Sequence, residues 1–195
     1  ATRSGRITAA QLYLAYEAGA FPGSPVGGGA LTGLGPYKID HLLVDGFDVV
    51  VNKPKVQAYR APGQPQAAFA VECTIDELAE KLGLDALELR LKNAVQQGDR
   101  MTNGVMYPRI GCKELEDAMH GHPHDHTPLE APDPATCPGR RRGRGISVAH
   151  RFNSGQMSSA AIHVNSNGTI NLITGSVDLS GSRVSIAMQA AEALG

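Results

Sequence analysis

Between Pro65 and Gly83 the apolar residues Ala68, Val71, Ile75, Leu78, Ala79 and Leu82 fall on one face at about 100° per residue, which predicts an amphipathic helix. Pro65 suits its first turn and Gly83 its stop. Glu72 lies inside that apolar face. A carboxylate there must be paired or protonated, because burying it alone costs several kcal/mol or raises its pKa. The helix must therefore pack where a partner is supplied, and Arg60, in the loop just before it, is the expected cation. Immediately afterwards Asp85 and Glu88 have capping-box spacing, predicting a second helix that runs on to Gly98.

Around this centre the chain reads as α+β, in two pieces. Residues 6–21 are rich in Leu, Tyr and Ile and predict a strand broken by Gly19, while 22–36 hold too much Gly and Pro for more than a short helical turn. Asp45-Gly46 stands between two apolar runs, the mark of a two-residue hairpin turn. A short helix is expected over Cys112–Met119. Residues 121–139 carry five of the twelve prolines and no apolar period, which predicts a surface linker. Beyond it, "GISVAHRF" and "SSAAIHVNSNGTINLITGSVD" predict strands, the latter with a tight turn at Asn167-Gly168, and a helix follows over Ala187–Leu194. The mixed strands and helices thus divide into 1–120, a Pro/His/Arg-rich linker over 121–144, and 145–195.

Of the 195 residues 42% are hydrophobic and 19% charged, with a net charge of -1, so no electrostatic argument favours nucleic acid or an anionic membrane as a partner. No apolar run reaches the roughly 20 residues of a membrane span. Three widely spaced cysteines without a CxxC suggest neither a disulfide framework nor a zinc ribbon, and fit a reducing cytoplasm. The abrupt ends suggest a piece of something longer.

Several local patterns compete as sites. "HGHPHDH" places His120, His122, His124 and His126 at alternate positions beside Asp125, and imidazoles of this kind bind zinc, nickel or copper. A Pro-rich linker seldom supplies fixed ligand geometry, so a solvated segment is the favoured reading and no metal ligand is assigned. Arg140–Arg144 lacks interleaved aromatics and reads as a basic flank rather than a nucleic-acid site. "GGGALTGLG" has the spacing of neither a dinucleotide loop nor a P-loop. Two junctions remain, at 59–65 and 178–183, where Gly and small residues precede a helix start and free backbone N–H groups favour an anion. One carries Arg60, the other Ser180, Ser182 and Arg183.

The stretch "NKPKVQAYRAPGQPQAAFAVECTIDELAEKLGLDALELRLKNAVQQGD" closely resembles the large, molybdenum-binding subunit of the xanthine dehydrogenase and aldehyde oxidoreductase family. The resemblance rests on the Asn-x-Pro strand, Ala-Tyr-Arg-x-x-Gly-x-Pro-Gln, the Glu of the following helix, Asp-x-Leu-Ala-x-x-Leu-Gly and Glu-Leu-Arg-x-x-Asn. "GRITAAQLYLAYEAGAF" and "GPYKIDHLLVDGFDVVVNKP" extend it upstream, and "GRGISVAHRF" with "SAAIHVNSNGTINLITGSVDLSGSRVSIAMQAAEALG" downstream.

The resemblance implies a fragment of a hydroxylase that adds oxygen from water to an aldehyde or N-heterocyclic carbon. Its cofactor would be molybdenum on a molybdopterin, in the cytosine dinucleotide form. Electrons from the small-molecule substrate would pass to iron-sulfur and FAD partner subunits. It makes Tyr59 and Arg60 a loop beside the molybdenum pocket, with Arg60 the catalytic candidate, and makes Leu179, Ser180, Gly181 and Ser182 a second cofactor loop. Ala61-Pro62 replaces the Gly-Phe of purine-oxidising members, Cys-Ser-Phe of the carbon-monoxide-oxidising members is absent, and Ser180-Gly181-Ser182 replaces Gly-Gln-Gly. Neither xanthine nor carbon monoxide is therefore the expected substrate. The family's other glycine loop and its Glu base would lie outside residues 1–195, so the piece is expected to be inactive by itself. A non-catalytic scaffold, or a metal-binding protein using the His cluster, is the alternative.

Overall fold

The computed structural model describes residues 1–133, 135–151 and 157–195. They fall into two compact units, Ala1–Phe152 and Asn153–Gly195. The expected second piece began at 145; the compact division comes later, and the reason lies in how residues 144–150 pack.

In the first unit, β1 (Ala9–Gly19) and β2 (His41–Val50) pair in parallel from Ala9↔His41 to Gly19↔Val50, joined by a crossover containing α1 (Val26–Thr32). This overturns the hairpin expected at Asp45-Gly46. Parallel neighbours need a crossover rather than a tight turn, and β2 runs straight through both residues. Gly46 serves packing instead: a Cβ there would stand 3.1 Å from Val26 Cγ2 of α1. The Gly-rich stretch likewise forms a seven-residue helix, a little more than the turn expected.

Alternation along β1 sends Leu12 and Leu14 inward and Tyr13 outward, where its ring lies 5.0 Å from that of Phe47. The inward residues meet α2 (Gln64–Leu82), whose buried stripe is Ala67, Val71, Glu72, Ile75 and Ala79. Leu34, Tyr37 and Leu89 complete the core. Left-handed Gly63 and Gly83 bound α2 at either end. Asp85 caps α3 (Ala86–Asn93) as expected, its carboxylate accepting from the N–H groups of Leu87 (2.8 Å) and Glu88 (3.0 Å). The helix stops at Asn93 rather than near Gly98, because Ala94 turns extended to bridge Tyr37. The Asn93 side chain also holds the N-terminal segment, donating to Gly5 O and accepting from Ile7 N–H.

α4 (Cys112–His120) follows, and α5 (Pro123–His126) gives the proline-rich segment one helical turn. The strand expected over 145–152 does not form in its described residues. In the second unit β3 (Ala160–Val164) and β4 (Ile170–Thr174) pair antiparallel about Asn167-Gly168, as expected. α6 (Ser182–Leu194) starts five residues before the expected Ala187, directly after Gly181. Among the described residues no helix is long and apolar enough to cross a membrane.

Candidate functional site

Among the described residues, three non-glycine residues adopt positive φ: Arg60 (31°), Ala61 (46°) and Ser180 (55°). An L-residue in this region is strained by about 1–3 kcal/mol and persists only where its surroundings impose it. Arg60 and Ser180 are among the candidates raised by the sequence, and Ala61 adjoins the first.

The Arg60 loop is imposed by tertiary packing. Gly63 at φ 81° caps α2, and a Cβ on it would fall 2.0 Å from Pro25 O. A Cβ on Gly28 would stand 2.4 Å from Pro62 O, and one on Gly29 would stand 2.8 Å from Gly63 O. The Tyr16 hydroxyl donates to Gly63 O at 2.8 Å. The glycines of α1 thus let the loop lie directly on that helix. Tyr59 is left 86% exposed, and Arg60 is exposed beside it. What the loop offers is a permanent planar cation next to the positive end of a 19-residue helix dipole, an arrangement that suits anionic oxygens.

The second loop is imposed locally. Ser180 and left-handed Gly181 (φ 78°) precede α6. The Ser182 hydroxyl accepts from Leu179 N–H and donates to Val177 O, both at 3.1 Å. Asp178 Oδ1 accepts from Arg183 N–H at 3.3 Å. Leu179 is exposed. The two loops belong to different compact units. Gly28, Gly29 and Tyr16 support the first loop without having been given that role from the sequence, whereas Gly63 and Asp178 fall inside the two junctions that the sequence marked. The glycine run carried the signal, but its spacing fitted no ligand motif.

Glu72 is buried, but its cation is Arg90, not Arg60 as expected. Arg90 Nε donates to Glu72 Oε2 at 2.9 Å, and Nη2 reaches Asp76 Oδ1 at 2.8 Å. The Tyr37 hydroxyl donates to Glu72 Oε1, and Val148 N–H donates to Oε2 at 2.8 Å. Arg90 wins because α3 packs it fully into the core, where desolvation sharpens the attraction between opposite charges. Burial, reinforced by Glu72, drives the Tyr37 pKa far up, so the phenol stays a donor. Nearby, burial raises the Glu116 carboxyl and, together with Glu116, pushes the Cys112 thiol up to about 12, which leaves it unreactive.

In the His-rich segment, His120 Nε2 lies 3.4 Å from Glu88 Oε1 and its Nδ1 lies 3.5 Å from Asp125 Oδ2, while His126 Nε2 contacts His120 O at 2.7 Å. Among the described residues no group of three or more His, Cys, Asp or Glu side chains could hold a metal ion.

Residues 1–94 match the molybdopterin cofactor-binding domain family. The chain is 34% identical over 142 residues to an aldehyde oxidoreductase of Megalodesulfovibrio gigas, covering 71% of this chain and 15% of that protein. It is 34% identical over 125 residues to a nicotinate dehydrogenase large molybdopterin subunit of Eubacterium barkeri, covering 60% and 29%. The crystal structure of the Desulfovibrio desulfuricans aldehyde oxidoreductase superposes with a TM-score of 0.67 at 26% identity, covering 88% of this chain and 19% of that one.

The chain belongs to the molybdenum-binding subunits of the aldehyde oxidoreductase and xanthine dehydrogenase family, as a fragment. It spans between 15% and 29% of the length of the two curated relatives described.

Proposed function

We propose that these residues are part of a cytoplasmic molybdenum hydroxylase that oxidises an aldehyde or an N-heterocyclic carbon. In this reading Tyr59 and Arg60, and separately Leu179, Ser180, Gly181 and Ser182, contact a molybdopterin cofactor in its cytosine dinucleotide form. The observation that carries it is the positive φ at both Arg60 and Ser180, three residues and one residue ahead of a left-handed glycine N-cap respectively. Strain of this kind is kept where backbone must be presented to a ligand.

The donor set fits the group. A guanidinium and backbone N–H groups at helix starts recognise anionic oxygens, and the exposed Tyr59 ring offers a flat apolar surface. When bound, the molybdenum and its pterin supply the redox chemistry, and the chain supplies position and electrostatics. Arg60 would offer a fixed cation to negative charge at the reacting centre. The backbone that follows it, at Pro62 and Gly63, is packed on α1. The electrons go on to iron-sulfur and FAD partner subunits.

Purifying the full-length native product and measuring molybdenum by mass spectrometry, with pterin fluorescence after oxidation, tests this reading. Near-stoichiometric molybdenum with pterin is expected. Zinc, nickel or no metal, without pterin, would overturn it. The 195-residue piece alone is expected to show no sustained substrate oxidation.

A further inference from the structure

We propose that residues 144–150 form a strap which the first unit clamps at three points, with Glu72 as its positioning residue. The sequence of this stretch alternates like a strand, and so does its burial: Ile146, Val148 and His150 are half-buried while Ser147 and Ala149 are exposed. Among the described residues no neighbouring strand satisfies that alternation. An extended segment has instead been laid across helices and loops.

The first clamp is Arg144, whose Nη1 and Nη2 donate to the carbonyls of Asp125 (2.7 Å) and Thr127 (2.6 Å). In the second, Val148 N–H reaches Glu72 Oε2 across 76 residues of sequence. Third, the His150 ring stands edge-on to Tyr107, with centroids 5.3 Å apart at 88°, and lies so close to residue 35 that a Cβ there would meet His150 Cδ2 at 2.9 Å. The Tyr107 hydroxyl in turn donates to Gly35 O at 2.8 Å, which holds the receiving surface.

Glu72 is suited to the task because its carboxylate is already fixed. Tyr37 occupies Oε1, and Arg90 occupies one acceptor position of Oε2. A buried carboxylate oxygen has room for a second donor, and leaving that position empty is unfavourable. Val148 fills it. The buried ion pair therefore does more than hold α2 to α3: it dictates where residues 144–150 lie on the first unit. This inference needs no cofactor and does not depend on the proposed activity.

Amide hydrogen exchange on the 195-residue chain, resolved to the peptide spanning 145–151, tests it. Val148 is expected to be protected in the wild-type chain. His150→Ala leaves the Glu72–Arg90 pair intact, so it should speed exchange across 145–151 by about tenfold or more while Val71–Ala79 keep their rates. His150→Phe, which restores an edge-on ring, should recover the protection. Glu72→Gln should also speed exchange at Val148, and the His150 variants decide the matter if that protein does not fold. An unprotected Val148 in the wild-type chain, unchanged exchange in His150→Ala, or equal acceleration of the α2 core would each overturn the strap.

Discussion

Arg60 and Ala61 take positive φ before Gly63 caps α2, and Ser180 does so before Gly181 caps α6, yet the surroundings of the two caps differ. A Cβ on Gly63 would meet backbone at 2.0 Å, whereas a Cβ on Gly181 would meet nothing within 4 Å. Gly63 is buried, and the first unit around it has a core drawn from β1, α2 and α3. In the second unit no described residue is buried. The same backbone device is therefore held by tertiary packing in one place and by Ser182 and Asp178 in the other. A packed loop inherits the stability of its core; a hydrogen-bonded turn has only its own contacts to oppose its conformational entropy.

Substituting the two glycines should expose that difference most sharply. Gly63→Ala adds steric overlap to left-handed strain and is expected to cost about 3 kcal/mol, read as a lower urea midpoint. Gly181→Ala meets only the strain, about 1 kcal/mol, read as faster amide exchange over 179–183. Equal effects would show that packing contributes nothing extra at Gly63.

The supporting hydrogen bonds form a second pair. Tyr16→Phe removes the donor to Gly63 O and should cost about 1 kcal/mol of global stability. Ser182→Ala should cost about 0.5 kcal/mol, with the change confined to exchange at residues 177–183. A global loss on Ser182→Ala would join the second loop to a cooperative core.

The smallest contrast is one of pH. Burial holds His150 below its ordinary imidazole value. Its folded pKa lies below its unfolded one, so its contribution is present above about pH 6.5 and is lost as pH falls through the folded value. Denaturant midpoints measured on acidification should fall more steeply in the wild-type chain than in His150→Phe. Parallel curves would mean that the imidazole is not desolvated.

Elements set by local periodicity and capping were legible in the chain itself. α2, the Asp85 cap and the Asn167-Gly168 turn depend on residues close in sequence, and they appear within a few residues of where the pattern puts them. The helix of the Gly-rich stretch was only partly legible, because glycine run and loop look alike without the loop that packs on them. Asp45-Gly46 misled because a turn glycine and a packing glycine share a signature, and the choice between them rests on Val26, twenty residues before Gly46.

The α+β class and the positions of the two glycine-containing helix junctions were legible in local patterning, and the family resemblance in its motifs; the strain at Arg60 was not, because packing against α1 imposes it. The partner of Glu72 and the placement of 144–150 were decided only by the tertiary structure. Arg90 and Val148 lie 18 and 76 residues from Glu72. A buried carboxylate takes whichever donors the packed core brings to it, and sequence proximity, which favoured Arg60, has no part in that choice.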